Sequence, residues 1–301
     1  LARNSARVGF LGPAFRPFRP DISHLFQREL EEGMKGELAR LGKDHQVNLK
    51  LIAGLNAERL DDRVGLLHQF DDIRRAVDAA DKDGMMGAMD RFNQQAVGIL
   101  TSGKFADAMD LEKEDPKILA RYTPRHKEEG ARGTTADGYN ASRKLLLARR
   151  LIEAGVRVVS VSFSDFDTHS SNFSRMRHLV PVVDHALATL VADLGERGML
   201  DDVLIVAWGE FGRTPKINKN AGRDHWGALQ SAVLAGGGIQ GGQVYGKSDK
   251  QSAYPPEKPV APEDLHATMY HALGIPPDTM IYDHLNRPHR ICDGRPLTAL
   301  F

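Results

Sequence analysis

Two strand-length apolar runs constrain what this chain can fold into more than any other feature: Val156-Arg157-Val158-Val159-Ser160-Val161-Ser162-Phe163 and Val203-Leu204-Ile205-Val206-Ala207-Trp208. Both are rich in β-branched residues, the composition of a buried strand. Between them Met176, Leu179, Val183, Leu187, Leu190 and Leu194 recur at helical spacing, and Gly198 stands near the end of that stretch. Strand, long helix, strand predicts a βαβ unit, and hence a parallel sheet covered by helices. Residues 231–235, ending in Gly236-Gly237-Gly238, predict a third strand. A helix over 141–154 closes on Gly155, a left-handed cap. The last helix starts at Pro262-Glu263 and ends at Leu273, with Gly274 after it.

The earlier part of the chain reads differently. Leu60, Val64, Leu67, Phe70, Ile73 and Val77 mark a helix over 58–80, and a second helix runs over 89–100 before Ser102-Gly103. Shorter helical pieces fall near 105–111 and 116–122. Residues 9–21, rich in Pro, Gly and aromatics, read as irregular. Residues 124–138, with Gly130, Gly133 and Gly138 among charges, read as a mobile loop.

Charge and cysteine content narrow the function classes. Lys+Arg 40 balances Asp+Glu 40, so no basic surface marks nucleic acid or an anionic membrane as the partner. No run approaches the ~18–20 apolar residues of a membrane span. A single cysteine excludes an intramolecular disulfide and a thiolate-rich zinc site. Twelve histidines are left as the unusual feature.

Open parallel sheets bind ligands beyond the carboxyl ends of their strands. Ser164-Asp165-Phe166-Asp167-Thr168-His169-Ser170-Ser171-Asn172 follows the first run, and Gly209-Glu210-Phe211-Gly212-Arg213-Thr214-Pro215 follows the second. Gly222-Arg223-Asp224-His225-Trp226-Gly227 comes shortly after. Two of these clusters pair an Asp with a His within three residues. Carboxylate oxygens and imidazole nitrogens together suit Zn²⁺, Mn²⁺ or a related divalent ion. The competing reading is a structural salt-bridge network in which Arg213 and Arg223 compensate the carboxylates. Of the other histidines, His178 and His185 fall off the apolar face of the long helix and read as solvated. His24, His45, His68 and His126 carry no partner motif. His271 reads as packed in the last helix, and His289 lies in a basic surface stretch.

The runs Phe166-Asp167-Thr168-His169-Ser170-Ser171-Asn172-Phe173, Gly209-Glu210-Phe211-Gly212-Arg213-Thr214-Pro215, Gly222-Arg223-Asp224-His225-Trp226 and Gly242-Gln243-Val244-Tyr245-Gly246 carry a resemblance. With Arg59-Leu60-Asp61-Asp62-Arg63 and Asn286-Arg287-Pro288-His289-Arg290, they resemble the bacterial domain-of-unknown-function 1501 (DUF1501) family over nearly the whole chain. That family resembles the alkaline phosphatase and sulfatase superfamily. The resemblance implies an α/β, alkaline phosphatase-like αβα sandwich with a largely parallel sheet and a mainly helical N-terminal portion. Residues 1–301 would then form most of one such domain, with 58–122 a helical cap or insert and 139–301 the α/β core. The start, Leu1-Ala2-Arg3-Asn4, reads as lying after the family's first strand, which would carry further ligands and the nucleophile.

The function implied is metal-dependent hydrolysis of phosphate or sulfate esters, on a small-molecule or glycan substrate. Asp167, His169, Glu210 and His225 are the implied ligands of a divalent ion, Zn, Mn or Ca. Asp224 is either a further ligand or the group orienting His225. Arg213 and Arg223 are the anion-binding cations, and no nucleophile is assigned within the chain. The resemblance also implies a periplasmic or extracellular location. Phe211 stands where the superfamily has a ligand histidine. That substitution favours the alternative, a non-catalytic extracytoplasmic binding or scaffold protein.

Overall fold

A computed structural model describes residues 103–123, 139–283 and 285–301, with the isolated positions 17, 22 and 98. The helices expected over 58–80 and 89–100, the irregular stretch 9–21 and the loop 124–138 lie outside the described residues, apart from those isolated positions. Described helices are α1 (Gly103–Met109), α2 (Pro116–Arg121), α3 (Arg143–Glu153), α4 (Asn172–Glu196) and α5 (Pro262–Ala272). Strands are β1 (Ile205–Ala207), β2 (Gly212–Arg213), β3 (His225–Trp226), β4 (Val233–Ala235), β5 (Met280–Tyr282) and β6 (Pro288–Arg290).

The expected helices form for local reasons. Helix α3 turns Leu145, Leu146, Leu147 and Leu151 inward. It ends at Gly155, whose φ of 98° lets the Val156 N–H close back onto the Leu151 carbonyl. Helix α4 buries Leu179, Ala186, Leu190 and Leu194, and closes at Gly198 through a bond from the Met199 N–H to the Leu194 carbonyl. Helix α2 starts on Asp115, whose carboxylate accepts from the Lys117 N–H, with Pro116 in the first turn.

The sheet differs from expectation, and the alkaline phosphatase-like αβα sandwich with a largely parallel sheet is overturned. Among the described residues the strands form three separate antiparallel pairs: β1 with β4, β2 with β3, and β5 with β6. Residues 203–208 contribute only three residues to a strand. Their partner is Val233–Ala235, in the register Ile205↔Ala235 and Ala207↔Val233. Residues 156–163 belong to no described ladder. Val159, Val161 and Phe163 pack against the helical core, whereas Val158 is 75% exposed. An apolar run reports burial without saying what buries it. Here helix surfaces cover one face of the segment, so its apolarity requires no parallel neighbour.

The core lies between the helices. Leu145, Leu146, Leu147 and Leu151 meet Ala186, Leu190 and Leu194 of α4, with Ala108, Leu111 and Tyr122 closing one side. A buried charge sits inside it. The Arg149 guanidinium, 2% exposed, donates to Glu114 at 2.8 Å, Glu153 at 2.6 Å and Asp193 at 3.1 Å. Asp193 also accepts from Tyr122 Oη at 2.9 Å and Arg197 Nε at 2.9 Å, and Glu114 accepts from Arg150. Burial pushes both carboxyls up. For Glu114 the Arg150 and Arg149 bonds outweigh it, and for Asp193 the Arg197 and Tyr122 bonds do. Both groups therefore titrate below the ordinary carboxylate range.

Removing one partner of such a network strands the others without compensation. Arg149→Met is expected to cost about 3–5 kcal/mol at neutral pH, read by urea denaturation. The lowered carboxyls also set the pH dependence. Their contribution is complete above the unfolded carboxylate pKa of ~4 and is lost as pH falls through the lower folded values. The stability gap between wild type and Arg149→Met therefore narrows in acid. A gap that widens below pH ~4 would contradict this account.

Candidate metal centre

The site is made by two loops that lie side by side. One is 167–172, leading into α4; the other is 218–225, leading into β3. The Arg223 N–H donates to the Thr168 carbonyl at 3.0 Å, Ser171 N–H to Asn220 at 3.0 Å, and Asn172 N–H to Ala221 at 2.8 Å. Thr168, fully buried, donates its hydroxyl to Asn172 Oδ1 at 2.6 Å and pins the first loop to the start of α4. The approach is close enough to require glycine at 222, where a Cβ would stand 2.0 Å from the His169 carbonyl carbon.

The β2–β3 pair adds the third component. Its register sets Arg213 opposite His225. Thr214 and Asp224 are tied by two further bonds, Thr214 N–H to the Asp224 carbonyl and Asp224 N–H to Thr214 Oγ1. Three potential ligand atoms then converge. His169 Nε2 and His225 Nε2 each lie 3.0 Å from Asp167 Oδ1, and the two nitrogens are 3.1 Å apart. In a tetrahedral site with bonds of ~2.0–2.1 Å, ligand atoms stand ~3.3–3.4 Å apart, so small outward shifts would make room for an ion.

The protonation pattern readies His169 for the same use, while His225 Nε2 donates to Asp167 and would give up that hydrogen to an ion. Asp224 Oδ1 lies 2.9 Å from His169 Nδ1, and a carboxylate can only accept there, so Nδ1 carries the hydrogen. In the neutral ring Nε2 is then bare and faces Asp167 and His225. A carboxylate behind a histidine in this way fixes its tautomer and orientation for metal binding. The Asp167 carboxyl is pulled down to about 2 by hydrogen bonds from His225 and Arg213, the latter at 2.6 Å. Asp224 is lowered by its bonds to His169 and Asn218. Both are ionised throughout the physiological range.

Stability alone explains this cluster poorly. Asp167, His169 and His225 are about half exposed, at 48–50%. Exposed ion pairs contribute ~0–1 kcal/mol and must offset the entropy of ordering their side chains. A divalent ion on such a set can contribute on the order of 10 kcal/mol.

Of the residues singled out in the sequence, Asp167, His169 and His225 form the cluster, and Asp224 and Arg213 touch it. Asp224 bonds to His169, 55 positions away, rather than to its neighbour His225. Glu210 is exposed and lies outside the group. The Arg223 guanidinium donates to the Thr214 carbonyl at 3.0 Å and lies over the Phe173 ring, bracing the loops from outside the cluster. Phe211 packs its ring on His225, with centroids 4.3 Å apart. The place of His185 off the apolar face of the long helix predicts a solvated ring, but the ring is half-buried and bonds to the Arg121 carbonyl at 2.8 Å. His271 is exposed and sets its ring edge-on to Phe301. Asn218 went unnoticed in the sequence, because nothing in its spacing marks an amide that touches both loops.

A family model described as a protein of unknown function (DUF1501) matches residues 1–301. No curated protein and no solved structure matches the chain.

Two outcomes check the geometry. Gly222→Ala is expected to cost about 1–3 kcal/mol through overpacking between the loops, measured by chemical denaturation. The Asp167 carboxyl, followed by its ¹³C shift, should titrate with a midpoint near 2. Arg213→Met should raise that midpoint, whereas an unchanged value would mean that the guanidinium does not act on it.

Proposed function

We propose that this chain, which belongs to the DUF1501 family of proteins of unknown function, is a metal-dependent hydrolase of phosphate or sulfate esters. The observation that carries this reading is the convergence of Asp167 Oδ1, His169 Nε2 and His225 Nε2 within 3.0–3.1 Å of one another, beside a guanidinium. Two imidazoles and one carboxylate favour Zn²⁺ or Mn²⁺ over Ca²⁺, which prefers six or more oxygen ligands. A divalent ion held there supplies Lewis acidity towards a non-bridging ester oxygen.

The chain's own groups do the rest. Arg213 places a permanent cation against Asp167, where it can receive a phosphate or sulfate oxygen and stabilise charge that grows there. Asp224 holds the His169 ring so that its bare nitrogen faces the centre. Phe211 sets its ring against the His225 ring at a tilt and helps to hold it in place. Half exposure of the ligands leaves the centre open to a substrate from solvent.

A second reading, a non-catalytic binding or scaffold protein, rests on Phe211, which adds no donor atom to the centre. Purified protein should be loaded with Zn²⁺, Mn²⁺ or Ca²⁺ and assayed for metal content and for hydrolysis of aryl phosphate, phosphodiester and sulfate esters. About one equivalent of Zn²⁺ or Mn²⁺ is expected, lost together with turnover in His169→Ala and His225→Ala. Arg213→Met should keep the metal and lower kcat about 10²–10³-fold. Protein that takes up no divalent ion would sink the metal reading. Metal uptake with no ester hydrolysed would move the balance to the binding reading.

A further inference from the structure

Every polar atom of Asn218 is engaged. Its side-chain Nδ2 donates to the His169 carbonyl at 3.1 Å and to Asp224 Oδ1 at 3.1 Å. Its Oδ1 accepts from the Asn220 N–H and the Gly222 N–H, both at 2.9 Å. Its backbone N–H donates to the Gly222 carbonyl, and its own carbonyl accepts from Ala221. Only one orientation of the amide satisfies these partners. Reversed, it would set its oxygen against a carbonyl and a carboxylate, and its NH₂ against two N–H groups.

These bonds converge on one residue of the cluster. The amide touches the His169 main chain directly. It also grips the same carboxylate oxygen, Asp224 Oδ1, that accepts the His169 Nδ1 hydrogen. Asp224 is more than half exposed, so without this second donor its carboxylate is free to turn towards water. The His169 ring would then lose the partner that keeps the hydrogen on Nδ1. A hydrogen moved to Nε2 would point at Asp167 and His225, in the place an ion needs.

We propose that Asn218 is a positioning residue of the metal centre, holding Asp224 so that His169 presents a bare Nε2 to a zinc-like divalent ion. The proposal rests on reading Asp167, His169 and His225 as metal ligands. Losing an outer partner of a metal-bound histidine typically costs 10–100-fold in affinity, and Asn218, one bond further out, belongs at about the 10-fold end.

The test uses ¹⁵N-histidine-labelled protein in two measurements: the His169 tautomer in metal-free protein by long-range ¹H–¹⁵N correlation, and the zinc Kd by chelator competition. Wild type is expected to show one tautomer, with its hydrogen on Nδ1. Asn218→Ala should give a mixture of tautomers and a zinc Kd about 10-fold weaker. Asn218→Asp retains the two acceptor bonds to the loop amides, so the loop stays folded, but it faces Asp224 with like charge; the same losses are expected. In an Asp224→Ala background, Asn218→Ala should add almost nothing to the zinc Kd. The proposal is overturned if both Asn218 variants keep the wild-type tautomer. It is overturned equally if Asn218→Ala weakens zinc by the same factor with and without Asp224. A wild type that binds no zinc defeats the metal reading, and the tautomer measurement then still decides whether Asn218 orients His169.

Discussion

The described structure hangs on the guanidinium of Arg149. It sits at 2% exposure among leucines and reaches three carboxylates from three parts of the chain: Glu114 between α1 and α2, Glu153 at the end of α3, and Asp193 near the end of α4. A charge buried in that way is tolerable only when each partner is in place, which makes the network a registry device as much as a source of stability. It sets the position of α4, and α4 begins at Asn172. Asn172 is where Thr168 anchors the loop carrying Asp167 and His169. Helix α4 thus joins the charge in the helical core at one end to the loop carrying two of the three candidate ligands at the other.

At the other end of α4 the physics reverses. Here charge is exposed: Asp167, His169, His225, Asp224, Arg213 and Asn218 form a continuous set of hydrogen bonds across two loops and a short strand pair. The close approach at Gly222 and the Arg213↔His225 register hold this set without burying it. The result is a solvent-facing group of imidazole nitrogens and ionised oxygens beside a fixed cation. No helix of the described residues is long and apolar enough to cross a membrane.

Much of the helical part was legible in the sequence, because helical periodicity and terminal glycines are local signals. The spacing from Met176 to Leu194, the cap at Gly155, Gly198 near the end of the long helix, and the Pro262 start all correspond to described helices. Sheet pairing was not legible. The run over 203–208 carried the apolarity of a strand but not the identity of its partner, and Val233–Ala235 pairs with it antiparallel. The candidate cluster was found for a reason the structure does not support, the carboxyl ends of a parallel sheet. Asp167, His169 and His225 nevertheless come together, because the pairing of Asp with His in two short runs was a signal independent of topology. Long-range assignments within the cluster were beyond reach: adjacency suggested Asp224 for His225, whereas folding gives it to His169.

The central claim is that Asp167, His169 and His225 bind one divalent ion through two imidazoles and a carboxylate. Zinc K-edge X-ray absorption on the zinc-loaded protein tests it most directly. The account predicts a first shell of only nitrogen and oxygen at ~2.0–2.1 Å, with outer-shell scattering from two imidazoles. The His169→Ala and His225→Ala proteins should lose bound zinc and, with it, this spectrum. A first shell without imidazole, or a wild-type spectrum unchanged in both variants, would contradict it.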